Sequence, residues 1–89
     1  MRAFHCTTPK MLKRYCETGA ILPPVRFFSL EDRAKEWARK VQREVVVGFE
    51  VEEVYPLPDH RPAAYWTPRV IHSWDIVVVR STTPRQEAG

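Results

Sequence analysis

The stretch Phe4-His5-Cys6-Thr7-Thr8-Pro9 constrains the fold more than any other part of the chain. Its apolar part is short enough for a buried strand, whereas Thr8 and Pro9 are what a helix start requires: a side-chain oxygen for a free backbone N–H, then a ring preset to helical φ. A strand must therefore hand over directly to a helix. His5 stands just before that switch, at a place where pockets form.

The residues that follow fit this reading. Met11, Leu12, Tyr15 and Cys16 make one apolar stripe with Lys10, Lys13, Arg14 and Glu17 opposite, and Gly19 supplies the positive φ that closes a helix. Cys16 is expected to be buried in that stripe. Ala20, Ile21 and Leu22 form an irregular crossing segment stopped by Pro23-Pro24, and Val25 to Phe28 is a short strand. Ser29 with Asp32 has the spacing of a capping box. The helix it predicts carries Leu30, Ala34, Trp37, Ala38 and Val41 on one side, and Glu31 with Lys35 and Glu36 with Lys40 as solvated i,i+4 pairs on the other.

Strand periodicity replaces helical periodicity at Glu44 to Tyr55. There Val45, Val47, Phe49 and Val51 alternate with Val46, Gly48, Glu50 and Glu52, the pattern of a half-exposed strand, with Gly48 marking a bulge or a close approach. Pro56, Pro58, Pro62 and Pro68 predict one long loop from 56 to 68 that contains Tyr65 and Trp66. Val70 to Val79 reads as a strand broken near Ser73, and the run Ile76-Val77-Val78-Val79, apolar on both faces, is expected in the centre of a sheet. The order β-α-β-α-β-loop-β predicts an α+β fold, with two helices packed on a mostly antiparallel sheet. A single domain is expected over residues 1–80, with a flexible tail at 81–89.

Composition narrows the function classes. The 89 residues are 44% hydrophobic and 28% charged, an ordinary balance for one folded domain with a modest core. A net charge of +3 permits contact with phosphates without demanding it. No apolar run is long enough for a bilayer and the N-terminus lacks the core of a signal peptide, so no membrane association and a cytoplasmic location are expected. Reduced cysteines follow from that location. The absence of Asn and the preference for Arg over Lys give a composition like that of heat-adapted proteins.

Metal and hydrolase chemistry find little to use. His5, Cys6, Cys16, His60 and His72 lack the short paired spacing of a zinc site, so no metal is expected. There is no G-x-S-x-G, and three glycines, Gly19, Gly48 and Gly89, cannot build a phosphate loop.

A resemblance adds to this reading. Phe4-His5-Cys6-Thr7, a helix ending in Glu17-Thr18-Gly19-Ala20-Ile21, and Arg26-Phe27-Phe28-Ser29 ahead of Ala34 and Trp37 resemble the opening half of ADP-ribosyltransferase-like domains. It spans residues 3 to 41, with a further echo in residues 65 to 71. It implies a minimal domain of that fold and NAD or another nucleotide as cofactor or ligand. His5 would take the place of the histidine that bonds the ribose, and Phe27 that of the ring that stacks on nicotinamide. With Thr7 and Arg26, whose fork suits a phosphate, these are the candidate binding residues.

The sequence departs from that family where catalysis is decided. Cys6 stands in a glycine's place, and Ala64-Tyr65-Trp66 stands where a Glu-Tyr pair is expected. No catalytic residue is assigned, and transfer would require a substitute carboxylate such as Glu50 or Asp59. The alternative is a non-enzymatic, oligomeric module that touches protein or nucleic acid through Lys10, Lys13, Arg14 and the loop bearing Tyr65 and Trp66, with Arg61 and Arg69 beside them.

Overall fold

The structure is a computed structural model in which residues 1–58 and 63–81 are described. Its elements in chain order are β1 (Arg2–Thr7), α1 (Pro9–Thr18), β2 (Ala20–Ile21), β3 (Val25–Phe28), α2 (Glu31–Lys40), β4 (Val45–Glu50), β5 (Tyr55–Pro56), β6 (Ala64–Thr67), β7 (Ile71–His72), a 3-10 turn (Ser73–Asp75) and β8 (Val77–Ser81). Six strands form one sheet in the order β5-β6-β3-β1-β4-β8, and β2 pairs with β7 in a separate ribbon. Every ladder among the described residues is antiparallel. The α+β class and its two packed helices are thus as the periodicities require.

The sheet is covered on both faces. On one, Ala3, Val25, Phe27, Val45, Val47 and Phe49 meet Ile21 and Ile71 of the β2–β7 ribbon, with Leu12 and Tyr15 of α1 packed against them. On the other, Ala34 and Ala38 of α2 lie on Val46, flanked by Phe4, Cys6, Phe28 and Val79. Two alanines let α2 approach the strands closely, and both are essentially without solvent contact.

This double cover explains why Val45 to Phe49 is buried without interruption, where alternation predicted a half-exposed strand. Gly48 is the close approach expected of it. A Cβ there would lie 3.1 Å from Val79 Cγ2 and 3.8 Å from Phe4 Cδ1. The register shift falls instead one step earlier, between Val46 and Val47.

The caps follow the sequence at α1 and depart from it at α2. Thr8 accepts from the Met11 N–H at 3.2 Å, and Gly19 closes the helix at φ 90° with its N–H on the Tyr15 carbonyl at 2.7 Å. At α2 the capping position is Leu30, with no side-chain bond, because the Ser29 N–H is drawn to the Ala63 carbonyl at 2.8 Å. Glu31 and Asp32 in the first turn and Arg39 and Lys40 in the last complement the helix dipole. Of the predicted stripe, Ala34 and Ala38 are buried and Trp37 half-buried, while Leu30 and Val41 at the helix ends face solvent.

Four further expectations are corrected. Cys16 is exposed, while Leu12 and Tyr15 are the residues of that stripe that pack on the core. The segment 20–21 is a strand, not an irregular crossing, since β7 returns to pair with it. Within 56–68, Ala64 to Thr67 pairs along β3 and with β5, so tertiary pairing overrides the proline signal. Finally β8 is an edge, not a central strand: Val77 is 59% and Val78 47% exposed. Of the expected tail at 81–89, Ser81 ends β8 and the rest lies outside the described residues.

Replacing Gly48 by Val inserts a branched side chain against Val79 and Phe4. The expected loss is about 1 to 3 kcal/mol, measured as a lower urea midpoint at unchanged slope. An unchanged midpoint would show that Val79 and Phe4 yield freely there.

Candidate functional site

The site begins where β1 and β3 separate. β1 pairs with β4 over its whole length, from Arg2↔Glu50 to Thr7↔Val45, but with β3 at Phe4↔Phe28 alone. Beyond that pair the imidazole of His5 takes over the role of the ladder, with Nδ1 2.6 Å from the Arg26 carbonyl oxygen. A carbonyl only accepts, so Nδ1 carries the proton and Nε2 keeps its lone pair. Nε2 lies 3.4 Å from the Tyr15 hydroxyl, which Thr7 Oγ1 also approaches at 3.5 Å.

A cleft of about 300 Å³ opens at this split, lined by His5, Cys6, Arg26, Phe27, Phe28, Trp37, Arg43, Leu57 and Ala64. Three of the four candidate residues are therefore brought together. Thr7 is not among the lining residues and is fully buried. Phe27 is 2% exposed, stacked on Tyr65 with centroids 6.0 Å apart and edge-on to Phe49 at 5.9 Å, so its ring belongs to the core. The half-buried rings at the cleft are Phe28 and Trp37, 6.3 Å apart and inclined at 49°.

Arg43 reaches the cleft through the way α2 ends. Gln42 adopts φ 59°, the Arg43 N–H returns to the Ala38 carbonyl at 2.7 Å, and the Gln42 N–H approaches the Arg39 carbonyl at 3.3 Å. This is the Schellman closure with glutamine in the position usually held by glycine. Sequence reasoning missed Arg43 because glutamine carries no signal for it. Trp37 and Phe28 were visible only as members of apolar stripes.

The electrostatics are those of a cationic cleft with a neutral imidazole. Burial lowers the proton affinity of His5, the bond to the Arg26 carbonyl works against that, and the Arg43 guanidinium lowers it further. Burial pushes the Cys6 thiol up to about 11 despite the same arginine, and its Sγ donates to the Ala34 carbonyl at 3.1 Å. Burial and that bond favour the protonated thiol over the thiolate.

Among the described residues no Asp or Glu lines the cleft. Glu50 lies in a different groove with Glu52, Glu53 and Asp75, and pairs with Arg2 at 3.0 Å. Asp59, His60 and Arg61 lie outside the described residues. Among the described residues no three His, Cys, Asp or Glu side chains gather as a metal site would require.

The residues of the alternative reading are dispersed. Lys10, Lys13 and Arg14 lie exposed on α1. Strand alternation sends Tyr65 into the core against Phe27 and Trp66 to the other face against Tyr55, 5.1 Å away, while Arg69 pairs with Glu53 at 2.8 Å. The two rings thus share no surface. No helix among the described residues is long and apolar enough to cross a membrane. Comparison with protein-family models, with curated proteins and with solved structures gives no match.

The lowered proton affinity of His5 gives a pH dependence of definite sign. Above the ordinary value of 6.5 the ring is neutral in both states and nothing is lost. Below it the unfolded chain takes up a proton that the folded chain resists, so stability falls. His5→Gln should shallow this acid limb relative to the parent protein, measured by urea unfolding from neutral pH down to about 5. Equal limbs would mean that the ring protonates freely in the fold.

Proposed function

We propose that the chain binds NAD or a nucleotide in the cleft between β1, β3 and α2, as a small ADP-ribosyltransferase-like domain that binds without transferring. One observation carries this reading: the split of β1 from β3 opens a cleft whose walls combine aromatic rings with two guanidinium groups and one neutral imidazole. Phosphates suit the arginine forks, a base or nicotinamide suits the faces of Phe28 and Trp37, and His5, held between the Arg26 carbonyl and the Tyr15 hydroxyl, fixes one wall of the cleft.

A described lining without a carboxylate favours binding over transfer. Ribosyl transfer develops positive charge at the sugar, and no carboxylate to grip the ribose and activate a nucleophile stands among the described lining residues. Calorimetric titration of NAD and ADP-ribose should show binding that His5→Ala and Trp37→Ala each weaken by at least about tenfold, or 1.4 kcal/mol. Absence of heat from both ligands at millimolar concentration would sink the reading.

A second reading, a non-enzymatic oligomeric module, is favoured by β8. This edge has neither proline nor lysine to blunt it and carries exposed Val77 and Val78, whereas the opposite edge, β5, is two residues long and ends in Pro56. Antiparallel pairing of β8 with its copy would bury Val78 against Val78. Light scattering across a concentration series should then show a dimer that Val78→Lys returns to monomer, and a parent protein monomeric throughout would remove this reading.

A further inference from the structure

The two arginines of the cleft come from independent elements and share one destination. Arg26 stands on β3 beside the split, where its own carbonyl holds the His5 ring. Arg43 is turned back by the closure of α2, and its charge is felt at both His5 and Cys6 on β1. Neither forms an ion pair with a described carboxylate, and no described carboxylate lines the cleft. Two like charges lining one small, partly apolar space repel each other and concentrate a positive potential that an anion relieves.

Size limits which anion that is. About 300 Å³ lies at the bottom of the range of about 300 to 1,000 Å³ typical of small-molecule sites. Phe28 and Trp37, inclined at 49° and in contact, present ring faces for one base and no parallel slot between them. The space matches one base with its sugar and one phosphate group more closely than it matches two nucleosides.

From this we infer that the cleft selects a mononucleotide unit ending in a phosphomonoester, with Arg26 and Arg43 holding the phosphate and Trp37 the base. The inference rests on the nucleotide-binding reading above and narrows it. A terminal phosphomonoester carries up to two charges on three terminal oxygens, which two forks can share, whereas the bridging diphosphate of a dinucleotide offers one charge per phosphorus and is flanked by a nucleoside on both sides. The same chemistry occurs in a free nucleoside monophosphate and at the phosphorylated end of an oligonucleotide.

The test is calorimetric titration of the full chain with adenosine 5′-monophosphate, adenosine, NAD, and a trinucleotide with and without a 5′-phosphate. The monophosphate should bind at least about tenfold more tightly than adenosine, and Arg26→Gln and Arg43→Gln should each abolish that preference. Arg43→Lys, which keeps the charge but not the fork, should restore part of it, and thermal melts of each variant should match the parent protein. The phosphorylated trinucleotide binding more tightly or less tightly than the monophosphate identifies the source of the phosphate, with the phosphate preference supporting the inference in either case. Adenosine matching the monophosphate, or NAD binding more tightly with Arg43→Gln without effect, overturns the inference and leaves a nucleotide cleft standing. Silence from every nucleotide removes both.

Discussion

Burial of β4 on both faces is the constraint on which the rest of the architecture depends. Five consecutive residues, Val45 to Phe49, have almost no solvent contact, which requires a layer above and a layer below. Ladders to β1 and β8 satisfy its backbone, α2 covers Val46, Val79 and Phe4 close over Gly48, and the core built on Phe49, Phe27 and Val25 covers the other face. In a chain of 89 residues that arrangement consumes most of the apolar side chains. Little is left to shield β8, and its valines remain in solvent.

The cleft is a consequence of the same allocation. β1 spends one edge entirely on β4, and along its other edge it meets β3 at one ladder position before the strands part. A backbone carbonyl released from a ladder needs a donor, and His5 Nδ1 supplies it. That bond sets the tautomer of the ring, burial keeps the ring neutral, and both follow from the split rather than from any dedicated catalytic device. Arg43 arrives by a separate local economy, the need of α2 to satisfy the carbonyls of Ala38 and Arg39 at its C-terminal end.

Legibility in the sequence tracked how local the deciding interaction is. Thr8, Pro9 and Gly19 announced α1 because a cap involves neighbours three or four residues apart, and the structure uses them as read. The capping box at Ser29 failed because a distant carbonyl, that of Ala63, competes for the same backbone. Ile76 to Val79 suggested a central strand because composition reports which side chains tolerate burial, not whether enough cover exists. His5, Arg26 and Phe27 were found near one another, yet Phe27 lies in the core and Phe28 at the cleft, a one-residue difference that reverses the face of a strand.

What the sequence by itself determined is the inventory of elements: two amphipathic helices, their approximate limits, several short antiparallel strands, and a histidine at a strand-to-helix switch. These rest on side-chain periodicity and on caps, which are properties of adjacent residues. Only the tertiary structure decided which strands lie at the edges, where β1 leaves β3, and that Trp37 and Arg43 join His5 and Arg26 around one cleft. The reason is that pairing and cover are competitions among segments far apart in the chain, and no residue carries a local mark of winning one.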